Sequence, residues 1–291
     1  MSPPNWLSYV VIFVNNCYLP HQAEIIERIQ ETPSIFTLRL RFTDPQQQQD
    51  YQFAPGQFNM VYLFGVGEVP ISIVSDPADE HVVDHTIRAV GRVTNGLSQL
   101  KSGDYVGLRG PFGRSWPLQA AQGKDVLIIT GGLGCAPVVS VIQYVVRRRE
   151  QFSRLIIMQG VKHSDDLIWR EQYNYWQTLP DTQVILAASH ENKASWPWYS
   201  GFVTNFMDKV IFNPNNAIAM MCGPEPMMRA AIEPLTRVDL AEQDIWLSME
   251  RSMHCAVGHC GHCQYGAKFI CQQGPVFPYL EIKDLFGIRG F

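Results

Sequence analysis

Four of the seven cysteines in this 291-residue chain crowd between positions 255 and 271, while Cys17, Cys135 and Cys222 are scattered. An odd total with one dense cluster argues for a metal site over a disulfide framework. Cys255, Cys260, Cys263 and Cys271 are separated by four, two and seven residues, and the first two gaps are those of the plant-type run that holds a [2Fe–2S] cluster. Gly258, Gly261 and Gly266 suit such a loop, because close backbone approach lets amides bond the cluster sulfurs. A structural zinc site is the competing reading, but it normally shows paired C-x2-C spacings and only one is present. A Rieske-type centre would recruit His254, His259 or His262, yet four cysteines already complete a ligand set, which leaves the histidines around the site or on the surface. The three scattered cysteines are expected in core packing.

Length implies about two domains at the usual ~150 residues each. Apolar residues make up 46% and charged residues 17% of the chain, against a typical charged fraction of about 25%; this fits either an obligate partner or an unusually large core. A net charge of −4 and a pI near 6.1 supply no basic field for nucleic acid or an anionic membrane. The apolar run Tyr9 to Val14 is far short of the roughly 20 residues that span a bilayer. The start of the chain has neither a basic lead nor a small-residue cleavage site, so a cytoplasmic protein without direct membrane insertion is expected.

From Gln22 to Arg109 the pattern is strand-like. In Ile35 to Phe42, apolar Phe36, Leu38, Leu40 and Phe42 alternate with Thr37, Arg39 and Arg41, so one face is buried. Further strands are expected over 57–64, 70–74, 85–91 and 104–109, with turns at Pro55-Gly56 and Ser102-Gly103. Six short strands suggest a small antiparallel β-barrel, with Asp44 to Asp50 as a solvated hairpin loop. After Gly123 the grammar becomes strand, loop, helix: strands over 126–130, 155–160, 183–189, 217–222 and 245–249, and helices near 137–145, 165–175, 204–211 and 225–235. Continuous apolar strands suit a sheet covered on both faces, and the order describes a doubly wound α/β domain. The expected parts are an N-terminal extension (1–20), the barrel (21–117), the α/β domain (118–249) and a C-terminal [2Fe–2S] loop module (250–291).

Thr130-Gly131-Gly132-Leu133-Gly134-Cys135-Ala136-Pro137 joins a strand to a helix, where a tight turn and free N-terminal amides can receive a diphosphate. Pro137 suits a first helical turn. Cys222-Gly223-Pro224 also follows a strand, so two such loops share the carboxyl edge of one sheet and form a nucleotide crevice. In the barrel, Pro70-Ile71-Ser72-Ile73 and the stretch Gly91 to Leu97, with a short helix near Asn95, are candidate flavin contacts; a plain strand and helix cap is the alternative.

This order of parts resembles the ferredoxin reductase superfamily, from about Tyr18-Leu19-Pro20 to the tail. Within it the likeness is to flavin (gamma) subunits of cytoplasmic hydrogenases and sulfhydrogenases, with the electron-transfer subunits of anaerobic sulfite reductase and of dihydroorotate dehydrogenase as relatives. It is carried by Gly67 to Ile73, Gly110-Pro111-Phe112-Gly113, Glu250 to Cys255, and Cys271 to Phe277. The resemblance implies FAD held at Pro70, Ile71, Ser72, Gly91, Val93 and Thr94, with Ile73 and Gly96 beside them. It implies NAD(P)H at Gly131, Gly132, Gly134, Cys222, Gly223 and Pro224. The chain departs from the superfamily at Val69, where an Arg usually precedes the Pro-x-Ser motif and where Arg88 or Arg92 would have to substitute. Leu133 replaces a usual Thr, and Ser189-His190-Glu191 stands where an acidic residue is expected; Lys162 suits a 2′-phosphate and Glu191 a 2′-hydroxyl.

The resemblance thus implies an NAD(P)H-dependent flavin oxidoreductase, expected to exchange hydride with the nicotinamide and single electrons with the cluster. It then needs no acid, base or nucleophile of its own. Nothing else in the chain accepts electrons, so partner redox subunits are expected, most simply those of a NiFe hydrogenase complex. The alternatives are service to sulfite reductase or dihydroorotate dehydrogenase, and, from another class, a nucleotide-responsive redox sensor or assembly module. The exposed side of the cluster near His259 and His262 is the expected partner face.

Overall fold

The computed structural model describes residues 17–288 apart from Glu80, Asn192 and Ala194. The run Tyr9 to Val14 and most of the 1–20 extension lie outside the described residues. The first module contains β1 (His21–Thr32), β2 (Ile35–Phe42), α1 (Pro45–Asp50), β3 (Phe58–Leu63), β4 (Gly67–Ser72), β5 (Val83–Arg88), α2 (Arg92–Leu97) and β6 (Tyr105–Phe112). Its six strands pair antiparallel in the order β4-β3-β6-β1-β2-β5. The sheet curls until its two edges meet, where the Val74 amide donates to the Asp84 carbonyl (2.9 Å) and His85 Nδ1 donates to the Ser72 carbonyl (2.9 Å). The alternating residues Phe36, Leu38, Leu40 and Phe42 all face the interior, against Ile25, Val61, Ile73 and Leu108.

One expectation fails here. Asp44 to Asp50 is not a hairpin loop: Pro45–Asp50 forms the exposed helical turn α1, because Asp44 Oδ1 accepts from the Gln46 amide (2.9 Å), Pro45 opens the turn, and the glutamines that follow are good helix formers.

The second module runs β7 (Asp125–Gly131), α3 (Ala136–Arg147), β8 (Leu155–Val161), α4 (Arg170–Gln177), β9 (Thr182–Ala188), β10 (Tyr199–Ser200), β11 (Ala217–Cys222), α5 (Glu225–Arg237) and β12 (Ile245–Ser248). After it come β13 (Gln264–Tyr265), β14 (Lys268–Phe269), α6 (Ile270–Gln273), β15 (Val276–Pro278) and α7 (Tyr279–Ile282). The sheet order is β10-β9-β8-β7-β11-β12-β15, parallel except for the antiparallel edge strand β15. All residues of β7 and β11 are buried, as a sheet covered on both faces requires. The helix expected from 165 begins only at Arg170, after a 3-10 turn at Ser164–Asp166 and a left-handed Trp169 (φ 56°). The stretch expected as a helix near 204–211 is a 3-10 segment, Val203–Lys209.

The cluster segment is not a separate appendage. Met253, Ala256, Cys263, Tyr265, Ile270, Cys271 and Phe277 belong to one buried apolar core with Leu127, Met221 and Leu247 of the parallel sheet and with Phe58 and Met60 of β3. It therefore touches both sheets. Among the described residues, no helix is long and apolar enough to cross a membrane.

Candidate functional site

Two clefts meet where the sheets and the cluster segment converge. The first, of about 490 Å³, is lined by Pro70, Ile71 and Ser72 of β4, Thr86 to Arg88 of β5, Leu133, Ala136 and Pro137 at the start of α3, and Ser248 to Met253. The second, of about 340 Å³, is lined by Gly131, Gly132, Leu133, Gly134, Gly223, Pro224, Glu225, Met228, Met249, Glu250, Arg251 and Arg88. Arg88, Leu133, Met249, Glu250 and Arg251 belong to both. A molecule in one cleft therefore lies beside a molecule in the other, and Arg251 precedes Cys255 by four positions.

The glycine loops are shaped by backbone packing. A Cβ on Gly134 would stand 2.4 Å from the Cys222 carbonyl oxygen, so the turn after β7 and the turn after β11 press together and only glycine fits. Cys222 itself is wholly buried, and desolvation drives its thiol well above the usual range. Its side chain reaches neither cleft; it supports the turn from beneath.

The expected flavin residues divide in the same way. Pro70, Ile71 and Ser72 line the first cleft, whereas Ile73 is buried in the barrel core. Gly91, Val93, Thr94 and Gly96 line neither cleft. Thr94 Oγ1 accepts from the amides of Val90 (3.0 Å) and Gly91 (2.9 Å), Val93 packs on the barrel core, and Gly96 lets α2 lie against Leu63. They fix the helix that borders β4.

β4 is held by a buried polar chain. Tyr51 donates its hydroxyl to Asn59 Oδ1 (2.8 Å), Asn59 Nδ2 donates to His85 Nε2 (3.2 Å), and His85 Nδ1 donates to the Ser72 carbonyl. These bonds require a neutral imidazole, and desolvation lowers its pKa to about 4.

In the cluster segment the four cysteines fall into two pairs. The Cys260 amide donates to Cys255 Sγ (3.4 Å) and the Cys271 amide to Cys263 Sγ (3.5 Å); the amides of Val257, Gly258 and His262 reach Cys255, Cys271 and Cys260 sulfurs at 3.5, 3.2 and 3.5 Å. Gly258 has φ +73°, and a Cβ there would meet the Gln272 side chain at 2.6 Å, so this turn depends on glycine. Two thiol pairs under a net of amides suit two irons. Burial opposes ionisation at Cys255, but the amides of Cys260 and Val257 outweigh it and bring the thiol down to about 7. Burial first, then the neighbouring Cys263 thiol, pushes Cys271 up to about 12. A thiol so placed ionises readily only beside a cation, a charge that bound iron would supply.

Of the scattered cysteines, Cys135 and Cys222 are buried as expected, but Cys17 is exposed and does not pack in the core. His254 and His262 stack on one another (3.8 Å between centroids) next to the cysteines, and His259 Nδ1 meets the Tyr18 hydroxyl at 2.5 Å.

Comparison with known families gives three consecutive matches: Oxidoreductase FAD-binding domain over residues 22–116, Oxidoreductase NAD-binding domain over 128–233, and Iron-sulfur cluster binding domain of dihydroorotate dehydrogenase B over 250–283. Sulfhydrogenase 1 subunit gamma of Pyrococcus furiosus is 34% identical over 281 residues, which cover 94% of this chain and 96% of the relative. This chain belongs to the ferredoxin reductase superfamily, in its branch with an iron–sulfur segment. A probable dihydroorotate dehydrogenase B (NAD(+)) electron transfer subunit of the same organism is 31% identical over 226 residues, 78% of this chain and 80% of the relative. Among solved structures, a NADH-dependent reduced ferredoxin-NADP oxidoreductase superposes with a TM-score of 0.69 at 21% identity, over 92% of this chain and 94% of that one, and so shares the fold.

Val69 brings no charge; Arg88 and Arg251 line both clefts, and Arg92 lines neither. Glu191, which follows β9, accepts with one carboxylate oxygen from the Lys193 amide in its own loop (2.7 Å) and with the other from the Ser164 amide in the turn after β8 (2.8 Å). Sequence reasoning missed the cleft-lining role of Ser248 to Met253. Only the resemblance of Glu250 to Cys255 marked that stretch, since a segment without period carries no other signal.

Proposed function

We propose that this chain carries electrons between NAD(P)H and a partner redox subunit, entering at the second cleft, passing the first, and leaving through Cys255, Cys260, Cys263 and Cys271. The observation that carries the reading is the wall shared by the two clefts, Arg88, Leu133, Met249, Glu250 and Arg251, which runs directly into the cysteine loop. The proposed modules are 21–117 for FAD, 118–249 for the nicotinamide nucleotide and 250–291 for the cluster.

Each residue has a physical task. Gly131, Gly132, Gly134 and Gly223 present bare backbone to a diphosphate, at the carboxyl edge of the sheet where α3 begins. Pro70, Ile71 and Ser72 offer an apolar strand and its backbone groups to a flat ring, and Met249 and Met253 exclude water from the opposite wall. Arg88 is placed to offset phosphate charge. When bound, FAD supplies the exchange of an electron pair with the nicotinamide for single electrons at the cluster. The chain contributes orientation and electrostatics.

The partner is proposed to be a hydrogenase of the sulfhydrogenase kind, because the likeness to a sulfhydrogenase gamma subunit spans nearly the whole of both chains. The dihydroorotate dehydrogenase alternative rests on a shorter match and on the family of the cluster segment. The two are separated by purifying the native complex and testing for hydrogen-dependent against dihydroorotate-dependent reduction of NAD(P)+.

The function is tested by anaerobic purification, a visible spectrum and titration with NADH and NADPH. Flavin and iron that both bleach on addition of one nucleotide are expected. A colourless chain, or zinc in place of iron, sinks the reading. The substitution Cys263→Ser should abolish transfer to one-electron acceptors and leave flavin reduction by nucleotide intact.

A further inference from the structure

Arg109 lies on β6, 3% exposed, in a strand whose neighbours Val106 and Leu108 are core residues. A buried guanidinium is stable only when its donors are met, so its partners show what it holds. Nε and Nη2 make a two-pronged pair with Glu68 (2.9 and 2.7 Å), Nη1 donates to the Cys17 carbonyl (2.5 Å), and Nη2 also donates to the Cys255 carbonyl (3.3 Å). The Arg109 guanidinium lies 5.4 Å from the centre of the Phe112 ring. Glu68 is on β4, two residues before Pro70, so one cation spans from the strand lining the first cleft to the first cysteine of the cluster loop.

We propose that Arg109 is a positioning residue that sets the cluster loop against the flavin strand, holding Glu68 through Nε and Nη2 while Nη2 also reaches the Cys255 carbonyl. This rests on the reading that the flavin feeds the cluster. The step it serves moves one electron from reduced flavin to oxidised cluster, with no bond made or broken, and such transfer weakens steeply with separation. The planar fork is what the site uses; a lysine keeps the charge, but its single nitrogen cannot make the two-pronged pair with Glu68 and also reach both carbonyls. The pair also balances charge beside a cluster ligand, and removing the carboxylate alone leaves a cation there that favours the more negative, reduced cluster.

The test uses the full chain loaded with FAD and iron under anaerobic conditions, as wild type, Arg109→Met, Arg109→Lys and Glu68→Gln. Iron and flavin content, flavin reduction by NADH, the following cluster reduction, and the cluster midpoint potential are measured for each. Arg109→Met should reduce its flavin at the wild-type rate and its cluster about tenfold more slowly or worse, and Arg109→Lys should not restore that rate. Glu68→Gln should shift the midpoint potential in the positive direction. Arg109→Met and Glu68→Gln chains with full iron and flavin that match the wild-type rate and potential would overturn the role of Arg109. If Arg109→Met fails to hold iron, the volume-conserving Glu68→Gln decides: an unchanged rate and potential overturns the proposal. A wild-type chain whose flavin is reduced while its cluster stays oxidised overturns the relay itself, which separates that failure from this one.

Discussion

At the scale of single residues, His85 and Gly134 give the sharpest expectations. His85 is fully buried between Asn59 and the Ser72 carbonyl, and its folded pKa, about 4, lies below the ordinary 6.5. The unfolded chain therefore takes up the proton first. The stability that His85 contributes is complete above pH 6.5 and is lost as pH falls towards 4, about 2 kcal/mol between pH 7 and pH 5. Urea unfolding at the two pH values measures it, and His85→Gln should flatten that part of the slope. At Gly134 the Cys222 backbone leaves no room for a side chain. Gly134→Ala should cost about 1–3 kcal/mol of stability and raise the KM for the nucleotide while FAD remains bound; a variant with wild-type KM and melting temperature would contradict the packing. The glycines were legible in the sequence because a strand, a Gly-rich turn and a helix follow one another. His85 was not, since one histidine in an alternating strand looks the same whether it faces water or the core.

Elements show where local pattern suffices and where it is overruled. β2 follows from its alternation and β7 and β11 from their continuous apolar runs, and Ala217–Cys222 has the expected bounds. Asp44 to Asp50 escaped because a capped, exposed single turn has no apolar face to betray it. α3 is fastened from outside: Trp116, on the segment that joins the two sheets, donates Nε1 to the Pro137 carbonyl at 2.8 Å and is 2% exposed. Trp116→Phe should lower stability by about 1–3 kcal/mol, read as a lower urea midpoint with an unchanged slope. The sequence offers no hint of that bond, because both partners look like ordinary loop and helix-start residues.

On the scale of the whole molecule, the segment after Glu250 is structural as well as functional. β15 extends the parallel sheet, the Met249 amide donates to the Pro275 carbonyl (2.8 Å), and the Arg114 amide donates to the Gly274 carbonyl (2.5 Å). Apolar burial, not the cysteines alone, joins this segment to both sheets. Removing iron with a chelator should therefore raise amide exchange across about residues 255–273, where few regular hydrogen bonds hold the loop, and leave β7, β8 and β11 protected. Global loss of protection would show instead that the metal holds the molecule together.

The cysteine spacing, the two periods and the glycine turns are local in the chain, and each has a direct physical cause in ligand number, side-chain direction or backbone freedom. They were sufficient to give an iron–sulfur segment, both domain types and the sheet edge at which the two glycine turns meet. Contacts between residues far apart in sequence were decided only in three dimensions. The wall shared by two clefts, the two-by-two pairing of the cysteines and the grip of Arg109 on Glu68 and Cys255 all depend on how two sheets and one irregular segment pack. No one-dimensional pattern records that packing, because a buried arginine is tolerable only when folding has already brought its partners to it.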